Sequence, residues 1–330
     1  MKFGAIPLDE AEGAVLAHSV ALDKGRLRKG RVLCSEDLDK LRDAGLDEVI
    51  AARLDPGDIG EDAAAARLAQ ALVPDPVRAG LKIGKSATGR VNLHADAPGV
   101  VEVLAGRIHA LNALHPMITV ATVPEWQRVA AGGMVATVKI ISYAVPEAAL
   151  EAACLAGQSG LRLRPVVCRT AQLIQTTVDG TESGDKGQKV TQDRLDRLGV
   201  QIGPQQVVPH RVGPLAKAVA EAQADAVLIL TGSATSDLHD VAPEAVRQAG
   251  GSVTHFGMPV DPGNLLFYGE QAGRPVIGLP GCARAPALNG ADWVLERLLC
   301  GVPVTPQDIA GMGVGGLLKE IPARGRLREA

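Results

Sequence analysis

The residues best suited to chemistry lie where a buried strand gives way to a helix. In "ADAVLILTGSATSDLHDVAPEAVRQAGG" (224–251), five apolar residues stop at "TGSATSD", and a helical pattern begins near Asp240. The hydroxyls of Thr231, Ser233, Thr235 and Ser236 can donate hydrogen bonds there, as can exposed backbone N–H groups along 231–237, including those of Ala234 and Asp237. Gly232 permits backbone dihedrals that other residues resist. A helix N-terminus just beyond adds partial positive charge. Together these features suit a phosphate. The loop lacks the Gly-Lys-Ser/Thr ending of a Walker loop and the three spaced glycines of a dinucleotide fingerprint. Asp240 has two readings: a cap for the helix "VAPEAV", or a carboxylate that accepts from a ligand or coordinates a cation.

A second loop of the same kind is "GLPGCARAP". Gly278 and Gly281 flank Leu279 and Pro280, giving a rigid turn with room for close ligand approach. Two such loops on one sheet edge would make a cleft. Cys282 is either a reactive thiol near a helix start or a small buried residue. Arg284 either reaches a ligand phosphate or lies in solvent. A third polar segment, "TTVDGTESGDKGQKV", carries Asp179, Glu182, Asp185 and Lys186 and reads as a surface loop.

The elements that must hold these loops alternate between strand and helix. "LRLRPVVCRTA" reads as a strand and "KVTQDRLDRLG" as a helix with Val190, Leu195 and Leu198 inward. "VGPLAKAVAEAQ" places Val212, Leu215, Ala216, Val219 and Ala220 at helical spacing. "AVLIL" is a continuous apolar strand of the type found in parallel sheets covered on both faces. A helix near 243–249, the strand "SVTHFGM", a hairpin in "LLFYGEQAGRPVIGLPG" and a helix in "PALNGADWVLERLLCG", with Leu288 on its inner face, complete the pattern. It predicts a doubly wound three-layer α/β/α domain over 160–305.

The N-terminal part reads as two regions: a mixed α/β segment at 1–75, with a helix capped by Ser35 and another over 60–73, and a β-rich segment at 76–145. The loop "PDPVRAGLKIGKSATGR" separates them, and its Lys82, Lys85 and Arg90 either meet an anion or, the reading favoured, lie in a solvated loop. "GRIHALN" reads as a helical turn and "PEAALEAACLAG" as a connecting helix. The glycine-rich, then charged, tail at 306–330 is expected to be loosely held.

Bulk composition narrows the function classes. The net charge of −3 and the 2% aromatic content supply neither a basic surface for a phosphate backbone nor rings to stack bases, so nucleic acid is not an expected partner. No apolar run approaches the roughly 20 residues of a membrane span. The start carries acidic residues by position 9 and does not read as a secretory signal. Five dispersed cysteines fit reduced thiols in a cytoplasm, and the seven histidines show no metal-ligand spacing.

Taken together, "LILTGSATSDLHDVAPEAV", "MPVDPGN" and "VIGLPG" resemble the molybdopterin-binding domain of molybdenum cofactor biosynthesis, found in molybdopterin adenylyltransferase, in molybdopterin molybdenumtransferase and in gephyrin. With "IPLDEAEGAVLAHSV", "GRVNLHADAPG", "MVATVKIISYAVP" and "LNGADWVLERLLCG" added, the chain is similar to the N-terminal part of bacterial proteins in which this unit precedes a cytidylyltransferase-like domain. The resemblance implies that Thr231, Gly232, Ser233, Ala234, Thr235, Ser236, Asp237 and Asp240, with Gly278, Pro280, Gly281 and Cys282, line a pocket for molybdopterin, the molybdenum cofactor or its nucleotide form. It implies that Asp240 is the catalytic residue or a ligand of Mg2+, with ATP as co-substrate, in adenylyl transfer or metal insertion. Departures are Ser233 in place of a second glycine, Asp237 near the phosphate, and Cys282-Ala283 in place of Asn-Pro. A non-catalytic carrier or sensor is an alternative, and so is a nucleotide pyrophosphate hydrolase of the competence-damage type. Other cofactor-biosynthesis proteins and a second copy of the chain are the protein partners it leaves open.

Overall fold

Strand Ala226–Leu230 is buried along its whole length, and its alternation shows how. Val227 and Ile229 enter one apolar cluster, with Leu215, Val219, Val246 and Val276. Leu228 and Leu230 enter another, with Leu195, Ile277, Val294 and Leu295. A strand with apolar side chains on both faces must be covered on both, which fixes three layers. Helices Val212–Glu221 and Val241–Gln248 supply one cover, while Asp185–Asp196, Gly290–Leu299 and Pro306–Gly311 supply the other.

This computed structural model describes residues 1–180 and 184–318. The chain forms two compact units, Met1–Asp96 with Val101–Leu163, and Ala97–Val100 with the chain from Arg164 onward. The segment read from sequence as 1–75 lies in the first, and so does 76–145 apart from Ala97–Val100.

In the second unit the sheet order is Gln201–Ile202, Thr170–Thr177, Ala226–Leu230, Arg274–Leu279, Phe267–Gln271, Ser252–Phe256, and Gln206–Pro209 also pairs with Thr170–Thr177. The pairings of Ala226–Leu230 with Thr170–Thr177 and with Arg274–Leu279 are parallel. Phe267–Gln271 and Arg274–Leu279 form the expected hairpin. The fold is the doubly wound α/β/α arrangement that the sequence pattern predicts.

Three local expectations change. The first sheet strand is Thr170–Thr177, whereas Leu161–Pro165 is a separate strand ending at a proline. Leu288 is exposed, because helix Gly290–Leu299 begins after it. The tail is not loose at its start: Thr305 caps Pro306–Gly311, and Ile309 and Met312 are buried in the core. The charged remainder of that tail, 319–330, lies outside the described residues.

In the first unit, Lys2–Pro7 pairs antiparallel with Glu48–Arg53 over six residues, and helix Ser35–Asp43 closes a small core around Leu38, Leu41 and Val49. The N-cap of that helix is Cys34, not Ser35, because buried Asp37 reaches back to the Cys34 N–H and also pairs with Arg31 at 2.6 Å. A four-stranded sheet runs Ile118–Thr122, Met134–Ile140, Arg90–Ala95, Leu81–Ile83. Helices Glu61–Leu72, Ala105–Leu114 and Glu147–Gly157 accompany it. The "GRIHALN" turn is thus part of a ten-residue helix, with Ile108 and Leu111 buried. Glu147–Gly157 packs against the other two helices, and Gly157 leaves the space that a Leu111 methyl fills. No helix among the described residues is long and apolar enough to cross a membrane.

Candidate functional site

Parallel register decides which loops meet. Gln175 stands opposite Leu230, and Leu230 opposite Leu279. The segments leaving these three strands therefore emerge at one edge of the sheet, the carboxyl edge where ligands of open α/β sheets sit. They begin at 178, 231 and 280, and the last two run to 240 and 289. Glu182, singled out in the first of them, lies outside the described residues.

The 231–240 loop is braced by its own polar groups. The Gly232 N–H donates to Thr176 Oγ1 at 2.9 Å, and that hydroxyl lies 2.8 Å from His210 Nδ1. Gly232 is needed for this closeness, not for a left-handed dihedral: a Cβ there would stand 2.6 Å from the Thr176 carbonyl oxygen. Buried Thr231 and Thr235 face each other with their hydroxyl oxygens 3.5 Å apart. Asp240 caps Val241–Gln248. Its Oδ1 accepts from the Val241 N–H at 2.7 Å and its Oδ2 from the Ser236 N–H at 2.9 Å. Asp237 Oδ1 accepts from the His239 N–H at 2.8 Å.

These bonds relocate the anion-binding end of the loop. The helix N-terminus already holds a carboxylate. Ahead of it, the backbone N–H groups of Ser233, Ala234 and Thr235 meet no acceptor among the described residues. Ser233 and Ala234 are exposed. Consecutive backbone N–H groups without an acceptor are donors of the kind that can receive phosphate oxygens.

The 280–289 loop is tied to the first by Arg284, whose Nη2 donates to the Thr231 carbonyl at 2.9 Å. Gly281 and Cys282 are exposed, so Cys282 is not the small buried residue that one reading allowed. Its sulfur accepts from Asn289 Nδ2 at 3.0 Å, while Asn289 Oδ1 caps Gly290–Leu299. "MPVDPGN" supports the loop from behind: the Gly290 N–H donates to the Pro262 carbonyl at 2.8 Å, and a Cβ on Gly263 would meet that same nitrogen. Pro280 follows the strand directly and is buried. Gly278 serves a different purpose from the one expected. It is buried in the strand opposite Phe267, whose ring occupies the place of a Cβ.

Arg194 holds the loop in place and is not among the residues the sequence pattern singles out. It is 6% exposed, donates through Nε to Asp292 at 2.6 Å, and donates through its Nη atoms to the carbonyls of Ala283 and Ala285, both at 2.8 Å, and of Ala287 at 3.2 Å. Its place four residues after inward-facing Val190 puts it on the inner face of Asp185–Asp196, which is the signal that could have found it.

Family comparison bears on this same stretch. Residues 175–299 match the model of a probable molybdopterin binding domain. The second unit contains a domain of that family. The matched residues begin within the Thr170–Thr177 strand and end with helix Gly290–Leu299, and so span the 231–240 and 280–289 loops. Residues 5–53, outside it, match a domain of unknown function. No curated protein matches the chain. Two solved structures of the molybdopterin biosynthesis moeA protein of Pyrococcus horikoshii were found: one is 13% identical, with 91% of this chain and 75% of the other covered and a TM-score of 0.31. The other is 10% identical, with 92% and 75% covered and a TM-score of 0.24.

Both carboxylate oxygens of Asp240 accept backbone N–H groups, and among the described residues no three His, Cys, Asp or Glu side chains stand together as ligands. Thiol chemistry divides clearly within the domain and around it. Burial pushes the Cys300 thiol up to about 12, and burial also raises Cys168 and, in the first unit, Cys154. The thiolate is the reactive species. A disulfide reagent at about pH 8 is therefore expected to titrate exposed Cys34 and Cys282 first and to leave Cys168 and Cys300 unmodified until denaturant is added. Peptide mapping of the labelled sites checks this, and early labelling of Cys300 would contradict the burial.

Proposed function

We propose that the domain binds molybdopterin, the molybdenum cofactor or its nucleotide form, and that the chain takes part in molybdenum cofactor biosynthesis as a carrier. The observation that carries this reading is the row of free N–H groups at Ser233, Ala234 and Thr235, next to a second loop that Arg284 joins to Thr231. The N–H groups would hold the pterin phosphate, and exposed Gly281 and Cys282 would border the pterin. The family match over these loops supports the choice of ligand. The double engagement of Asp240 gives its carboxylate a structural role at the helix start and the turn, which favours the carrier reading over Mg2+-dependent adenylyl transfer or metal insertion.

The test is pterin content. The protein is expressed in a cofactor-producing host and oxidised, and its fluorescent pterin is measured. Wild type is expected to carry pterin. Ser233→Trp is expected to lose it at unchanged melting temperature, because the position is exposed. Asp240→Ala removes a cap and one end of the loop brace and is expected to lower stability by about 1 kcal/mol and pterin content with it. Wild-type protein without pterin, and without binding in a titration, would remove the reading. Incubation with molybdopterin and Mg-ATP is expected to give no adenylylated product; turnover would make the protein a transferase.

A further inference from the structure

The first unit contains a cleft that the proposed function does not use. It lies between the loop after helix Glu61–Leu72, the short helix Pro76–Ala79 and the segments around Leu104 and Leu161, with a volume of about 420 Å³. That falls within the roughly 300–1,000 Å³ typical of small-molecule pockets. Val73 and Leu161 are buried and give it an apolar floor, and half-exposed Leu104 adds an apolar wall.

Two arginines and two acids line it, so its formal charges balance, but among the described residues they are unequally engaged. Arg78 and Arg162 line the cleft and are exposed, and neither guanidinium has a partner among the described residues. Of the two acids present, Asp75 accepts the Arg78 N–H at 3.0 Å as a cap, and Glu102 has an interaction of its own. Ser159 is also in the lining. It is a non-glycine residue held at φ +53, a conformation that costs free energy, and its hydroxyl has no partner among the described residues. Free donors of positive charge beside an apolar floor select for a ligand with an anionic head and an apolar body.

We propose that this cleft is a binding site for a small anionic amphiphile, its head between Arg78 and Arg162 and its body against Val73, Leu104 and Leu161. The site is independent of the pterin loops and does not rest on their function.

The test uses the full chain and the dye 8-anilinonaphthalene-1-sulfonate, with uncharged N-phenyl-1-naphthylamine as its partner probe. One saturable sulfonate site per chain is expected. Arg78→Gln and Arg162→Gln are each expected to weaken the sulfonate about tenfold, the factor for loss of one charge-assisted bond, and to leave the neutral dye unchanged. Ala79→Trp, which fills the cleft, is expected to abolish both dyes. Leu155→Glu, at the neighbouring groove beside Cys154, is expected to change neither. The proposal is overturned if wild type shows no saturable binding. Sulfonate affinity indifferent to both arginines, or loss of binding on Leu155→Glu, overturns it equally.

Discussion

Arg194→Met is expected to destabilise the second unit by about 3–5 kcal/mol, the range for removing one partner of a buried ion pair. The loss has two parts. Asp292 keeps its charge in a site where its side chain is 8% exposed, and the carbonyls of Ala283, Ala285 and Ala287 lose their donors. A methionine of similar length fills the space but supplies none of those bonds. Arg194→Lys is expected to recover little, since an ammonium cannot span the fork from Asp292 to three carbonyls. Urea unfolding followed separately for the two units is the measurement, because a chain with two units need not unfold in one step. If the second unit unfolds at the wild-type urea concentration, the clamp contributes nothing. A matched reading comes from the pterin assay: at low temperature, where the variant is folded, pterin affinity should still fall, because the 280–289 loop has lost its anchor.

Gly278→Ala is expected to cost about 1–3 kcal/mol, the usual penalty for overpacking a core, although alanine is the smaller of the common replacements. The added methyl would overlap the Phe267 ring, which is 1% exposed and packed within the apolar core. Both positions lie in paired strands, so the backbone cannot give way without breaking register. Phe267→Leu costs stability by itself but vacates the contested volume. In a double-mutant cycle Gly278→Ala and Phe267→Leu should therefore be coupled by more than 0.5 kcal/mol in the compensating sense. Additive effects would mean that the glycine is there for another reason.

Much of this fold was legible because apolar spacing is a strong signal. Leu215, Ala216 and Val219 are buried as the helical pattern requires, and Ala226–Leu230 is the doubly covered strand its composition implies. The strand Thr170–Thr177 was not legible. Its Gln175 and Thr176 are almost fully buried, and their polar ends are satisfied by the Gly184 carbonyl and by His210, partners that only the folded chain brings near. Arg194 was obscured for the same reason, since a charged residue in a helix reads as solvent-facing until its acceptors are known. For the site, sequence located the loops and the strand–helix junctions. It could not assign purpose to each residue. Gly232 and Gly278 are small because of a neighbouring backbone and a neighbouring ring, and the two oxygens of Asp240 are shared between a helix start and a turn.

That sharing has a kinetic consequence. A turn stitched to its own helix start by Asp240 has already lost most of its freedom before anything arrives. An occupant need not pay to order it. Its capture should proceed without a slow rearrangement step, and the loop should keep one shape whether empty or filled.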